Sequence, residues 1–160
     1  MMFDDIALAR AIHVLSIVHW IGGVAVVTTI VLPRARRSLD TRTAISEFEG
    51  FEQRFAFQAR ISIALAGFSG LYLLTALNGW ERFQFISYWW LDLMVAVWFV
   101  FAVMIYVLEP LLVHRVFHEY ALRNKERAFA VAIRLHAIAL FVSVVAIGAG
   151  VMGAHGGLPY

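Results

Sequence analysis

The stretch Ala11-Ile-His13-Val-Leu-Ser16-Ile-Val-His19-Trp20-Ile-Gly22-Gly23-Val-Ala-Val-Val-Thr-Thr-Ile-Val-Leu32 decides the fold. It holds 22 residues without one Asp, Glu, Lys or Arg. A helix rises about 1.5 Å per residue, so a bilayer core of about 30 Å is crossed by roughly 20 residues. Three more apolar runs follow, Ile61–Leu77, Trp89–Leu108 and Leu135–Ala154, of 17, 20 and 20 residues. Four such runs predict an all-α, integral membrane, up-down four-helix bundle, with residues 1–160 forming a single four-span domain.

Composition agrees. Hydrophobic residues make up 62% of the 160, and charged residues 15%. Soluble domains run nearer about 45–50% and about 25%. A disordered chain is excluded, and the composition argues against an ordinary soluble domain. There is no cysteine, which rules out disulfides, thiolate-held iron–sulfur clusters and thioether-attached heme. The leading segment Met1–Ile6 carries Asp4 and Asp5 and no basic residue. No small-x-small cleavage site follows, so the first run reads as a retained span and not as a signal peptide.

Lys and Arg set the orientation. Pro33–Arg60 carries Arg34, Arg36, Arg37, Arg42, Arg54 and Arg60, and Glu109–Arg134 carries Arg115, Arg123, Lys125, Arg127 and Arg134. Only Arg10 and Arg82 of the 13 basic residues lie at the opposite end. The positive-inside rule then places both termini on the periplasmic face of a bacterial inner membrane. Trp80, Tyr88, Trp89 and Trp90 form an aromatic belt at that face. With the basic residues explained by topology, no nucleic-acid partner is expected; the bilayer is the partner.

The segments at the basic end read as helical extensions. Phe48, Phe51 and Phe55 fall at helical spacing, with Glu47, Glu49, Glu52 and Arg54 between them, so Ile45–Arg60 is expected to run into span two. Glu109–Tyr120 extends span three with a bend near Pro110, and Asn124 marks a turn before span four. Arg60 with Glu109, and Arg10 with Asp92, are candidate ion pairs across helices.

Ionisable groups inside apolar spans are functional hypotheses by default. His13 and His19 lie in span one, and His136 in span four. Counted from the outer face, their depths are roughly 10, 20 and 25 Å. His19 and His136 are the best depth match between two spans. Six residues place His13 and His19 about 120° apart on the helix, too far around for one metal. Arg10 lies one turn outward of His13, suited to a heme propionate, and Trp20 lies two turns inward. Gly22, Gly23 and Gly67 leave space that suits either a flat macrocycle or close helix packing. Each histidine also admits a plain reading as an interhelical hydrogen bond. His114 and His118, spaced i, i+4, read as a solvated helix end, and Met152 with His155 is a weak copper pair.

Within span one, Ile12-His13-Val-Leu-Ser-Ile-Val-His19-Trp20-Ile-Gly22-Gly23 resembles the His-x6-Trp-x-Gly-Gly opening of the copper-resistance-D-type membrane domain. It is also similar to span one of the small four-helix bacterial protoporphyrinogen oxidases. The remaining spans resemble those of uncharacterised proteobacterial membrane proteins. His13 matches the family histidine and Trp20 the family tryptophan; His19 is an addition. The oxidases have a lysine near the start of span three, where this chain reads Trp89-Trp90-Leu91-Asp92-Leu93. The resemblance implies a heme b protein or, alternatively, one that handles copper.

Residues and resemblance together lead to the expectation of a heme b-binding electron-transfer protein. His13, His19 and His136 are the iron-ligand candidates, and Arg10 and Trp20 flank the cofactor. Quinone or a redox protein would exchange electrons with it, and a second copy of the chain is a further candidate partner. Copper transport, through His13, His19, Met94 and Met104, and a non-catalytic accessory subunit are the competing expectations. No catalytic residue is assigned.

Overall fold

Three of the four apolar runs lie on helices that begin at a capping side chain, and the helices extend well past the runs. In the computed structural model, which describes residues 4–157, α1 spans Asp5–Arg37, α2 Thr41–Ala76, α3 Ile86–Leu112, α4 His114–Arg123 and α5 Lys125–Ala154. The described residues contain no strand. Helices α1, α2, α3 and α5 are each long and apolar enough to cross a membrane. Asp4 caps α1 through the amides of Ile6 and Ala7, and Asn124 caps α5 through Arg127 at 3.1 Å. Asp40 caps α2, accepting from the Thr43 amide at 2.8 Å and its hydroxyl at 2.6 Å. Those two bonds hold the Asp40 carboxyl below its ordinary range. After α2 the chain turns through Asn78, in the left-handed region at φ 51°, which Asn tolerates.

The expected extensions form. Ile45–Arg60 is continuous with span two inside α2. At the basic end Phe48 and Phe129 are fully buried among Leu32, Ala35 and Ala44. Phe117 of α4 completes an aromatic triad, with centroids 5.0 Å from Phe48 and 5.4 Å from Phe129. Phe51 instead faces outward. A second core lies within the apolar spans: Trp20, Ile21 and Val24 of α1 against Ala59 and Ile63 of α2. The outward faces between the ends are apolar, with Leu15, Phe68, Phe99 and Phe141 all exposed.

Two wide helical turns lie toward the basic end, and each is tied to a proline. Val27–Val31 is π-helical just before Pro33, and Met104–Val113 is π-helical around Pro110. Proline lacks an N–H and its ring crowds the preceding turn, and a wider turn relieves the crowding. The bend expected near Pro110 is thus a π-helical passage, and α3 runs on into α4 without a break.

Small residues let α1 and α2 approach. Ala9, Ser16 and Gly23 recur every seven residues on α1, and Ala59, Ser62, Ala66 and Ser69 form the buried stripe of α2. The glycines seat rings. A Cβ on Gly23 would fall 1.9 Å from the Phe55 ring, and one on Gly67 would fall 2.5 Å from the Trp98 indole. The space read at Gly23 and Gly67 as room for a macrocycle or for packing is therefore filled by neighbouring side chains. Trp98 donates its indole N–H to the Ile63 carbonyl at 2.9 Å. Gly67→Leu is expected to expel this ring and lower stability by about 1–3 kcal/mol, the usual cost of overpacking. Thermal unfolding in detergent measures it; an unchanged midpoint would show that the Trp98 contact does not hold α2 to α3.

Candidate functional site

The polar groups within the apolar spans meet on α2. Three of its carbonyls, spaced three residues apart, each accept an extra hydrogen bond from a neighbouring helix. Arg60 O accepts from the Tyr106 hydroxyl at 2.6 Å, Ile63 O from Trp98, and Ala66 O from His13 Nδ1 at 2.9 Å. A carbonyl has two lone pairs, so the helical ladder leaves room for each of these bonds.

His13 is half-buried, and its Nδ1 also lies 3.2 Å from Ser69 Oγ. The Ser69 hydroxyl donates to the Leu65 carbonyl at 2.6 Å, so toward His13 it accepts. A carbonyl can only accept. The proton therefore sits on His13 Nδ1, and Nε2 carries the lone pair. His136 on α5 is alike: Nδ1 donates to Ala132 O at 2.9 Å, one turn back on its own helix. Ala132 and Leu140, one turn to either side, reach the two cores, so His136 lies between them on the packed face of α5. His19 is exposed on the flank of α1, with Nδ1 2.8 Å from Ser62 Oγ. A hydroxyl gives or takes a proton, so that contact leaves the His19 tautomer open. Among the described residues, Nε2 of His13, His19 and His136 makes no hydrogen bond.

Depth matching paired His19 with His136, and the two rings differ in their Nδ1 contacts. His19 turns onto Ser62 of α2, while His136 bonds to its own backbone. Rotation about α1 decides this, since Ile21, 100° around the helix from Trp20, packs inward while His19, 100° the other way, lies on the flank. Arg10 and Asp92 are both exposed and, among the described residues, do not pair with each other, which corrects that expectation; Asp5 accepts from the Tyr72 hydroxyl at 2.6 Å. Trp20 is buried, edge-on to Phe101 with centroids 4.7 Å apart. Met94 packs on Gly150 while Met104 is exposed.

A second polar group lies toward the basic end. Arg60 pairs with Glu109 at 2.5 Å, as its depth predicted, and its Nε reaches the Ile105 carbonyl at 3.5 Å. In a π-helical ladder that carbonyl is the one Pro110, lacking an N–H, leaves unsatisfied. Sequence reading found the ion pair but not the carbonyl, because the orphan appears only once the ladder is known to be π-helical. His118 contacts Glu49 at 2.8 Å. Glu52 is half-buried near Glu109 and Glu49. The side chain of His114 lies outside the described residues.

No three His, Asp or Glu side chains gather as metal ligands among the described residues, which leaves sites of one or two imidazoles. For heme iron the donors fit. Ligating histidines characteristically donate the second ring N–H to a carbonyl, which fixes the ring and raises its basicity. His13 and His136 meet that condition. No family model, curated protein or solved structure matches the chain.

Arg60→Met leaves Glu109 partly buried and unpaired and frees the Ile105 carbonyl. A loss of about 1.5–3 kcal/mol is expected, the range for hydrogen bonds to charged groups. Chemical unfolding in detergent measures it; a midpoint equal to that of the wild type would show that Arg60 does not tie α2 to α3.

Proposed function

We propose that this chain is an integral membrane protein of the bacterial inner membrane that binds heme b and passes electrons. The carrying observation is the shared state of two imidazoles in apolar spans. His13 and His136 each donate Nδ1–H to a backbone carbonyl and leave Nε2 as a neutral donor. The apolar outward faces and the four long helices support membrane insertion. The segregation of Lys and Arg supports periplasmic termini.

His13 and His136, at estimated depths of roughly 10 and 25 Å, would each supply an imidazole to a separate heme iron, and His19, on the flank of α1, would be the second imidazole at the deeper level. Heme, when bound, supplies reversible one-electron chemistry at iron. The chain's own groups do the rest. The Ala66 carbonyl and Ser69 hydroxyl hold the His13 ring in one tautomer, and the Ala132 carbonyl holds that of His136. Trp20, buried edge-on against Phe101, would line the cofactor pocket. Arg10 is exposed one turn from His13 and is available to a propionate. The span-one resemblance, in which His13 and Trp20 match the family pattern, agrees with this reading.

The absorption spectrum of the purified protein, oxidised and dithionite-reduced, is expected to show sharp Soret and α bands. His13→Ala and His136→Ala should each lower the heme-to-protein ratio or shift the reduced spectrum. Full heme content and an unshifted spectrum in both variants would remove them as ligands. A colourless wild type with stoichiometric copper would select copper handling, and a metal-free one the accessory subunit.

For orientation, an alkaline phosphatase fusion at Tyr160 should be active, and one within Arg36–Thr43 inactive. The reverse pattern would invert the orientation.

A further inference from the structure

At the basic end, a cavity of about 490 Å³ lies between the last turn of α1, the α1–α2 turn and the start of α5. Its charged lining is Arg36, Arg37, Lys125 and Glu126. Glu126 is already held, 3.0 Å from Arg36 and 3.8 Å from Lys125. Three cations against one carboxylate leave an excess of two positive charges. Arg37 is exposed and forms no ion pair among the described residues. Lys125 is largely buried, and its Nζ donates to the Ser38 carbonyl at 2.5 Å, which leaves two of its three N–H donors. Arg36 uses only Nε on Glu126, so its terminal nitrogens are unengaged.

The other lining residues mark the level of the cavity. Pro33 directly follows the first apolar run and Ile133 lies two residues before the fourth, and both face the cavity. Leu39, on the rim, is wholly exposed at the tip of the α1–α2 turn. One side of the cavity is thus cationic, and the other is apolar and continuous with the spans. A free anion would find use for the cationic side alone; a phosphodiester attached to acyl chains fits both.

We propose that this cavity binds the headgroup of an anionic phospholipid, with its phosphate on Arg37, Arg36 and Lys125 and its glycerol and first methylenes against Pro33 and Ile133. The assignment rests on the membrane placement proposed above and is independent of heme. Arginine suits the role because its planar fork meets two phosphate oxygens together. Basic pockets between helices at this face of a membrane take such headgroups. The cavity volume also falls within the range of about 300–1,000 Å³ usual for ligand sites. Bound there, the lipid would join α1 to α5 across the basic end.

The experiment uses the full chain, delipidated in a neutral detergent, with phosphatidylglycerol or phosphatidylcholine added and thermal unfolding followed. Phosphatidylglycerol is expected to raise the midpoint and phosphatidylcholine to leave it unchanged. Arg37→Gln, on an exposed side chain without an ion pair, should require about fivefold more phosphatidylglycerol for half the shift, as expected for one cation near a lipid headgroup. Arg82→Gln, the same charge change at the opposite end, should behave as wild type. Lys125→Gln tests the buried cation but also removes the bond to Ser38, so Arg37→Gln carries the decision. Equal shifts with both lipids, or an unaltered response of Arg37→Gln, would overturn the site. The same shift produced by inorganic phosphate at equal concentration would overturn the lipid in favour of a free anion. A chain recovered soluble without detergent would instead overturn the membrane placement itself.

Discussion

The close approach of α1 to α2 is the constraint on which the remaining structure depends. It requires small side chains at the contact, and these supply no hydrophobic bulk of their own. Ala9, Ser16 and Gly23 on one helix, and Ala59, Ser62, Ala66 and Ser69 on the other, bring the backbones near enough for His13 to reach the Ala66 carbonyl at 2.9 Å. Surrounded by apolar groups, such a bond is held by the lack of an alternative partner as much as by its own strength. Bulk arrives beside the small residues, from α2 itself and from α3. Phe55 lies over Gly23 and Trp98 over Gly67, so each missing Cβ seats a neighbour's ring. The seam therefore fixes His13 and His19 and positions α3.

The prolines set a second constraint at the basic end. Pro33 and Pro110 each remove a backbone donor from a long helix, and each is accompanied by a π-helical stretch that avoids the ring's clash with the preceding turn. The lost donor at Pro110 is matched by Arg60, whose guanidinium also meets Glu109. One cation thus answers both a charge and an orphaned carbonyl. Beyond these turns the helices build a core of ordinary buried phenylalanines, Phe48 and Phe129, closed by Phe117. The basic end is packed like a soluble protein even though the middle of the bundle is apolar on its outside.

What could be read from the sequence follows from which quantities are local. The number of long apolar helices, the helical extension through Phe48 and Phe55, and the turn at Asn124 depend on runs and periods along one segment, and all appear in the structure. The Arg60–Glu109 pair was legible because depth along two helices can be counted from their ends. Rotation of one helix against another cannot be counted that way. Hence Arg10 and Asp92 do not pair with each other, and the contact of His19 with Ser62 of α2 could not be read from depth. The occupants of the glycine notches were illegible for the same reason: nothing near Gly67 in sequence names Trp98, 31 residues on.

The same geometry also shows why packing and ligation are not rival accounts of the histidines. A histidine whose Nδ1–H bonds a carbonyl has met its obligation to the fold with one ring atom. That bond fixes the tautomer, so the other atom becomes a donor with a defined direction and basicity. An accessory role uses the first atom alone; an electron carrier uses both. The two differ only at Nε2 of His13 and His136, where no described side chain supplies a partner. Replacing either imidazole removes both atoms together, so loss of stability alone does not separate the roles. Asparagine can still donate to the carbonyl but cannot supply a ring nitrogen to iron. His13→Asn should thus retain the α1–α2 seam and lose the ligand, and a folded, heme-free variant of that kind would assign Nε2 to the metal.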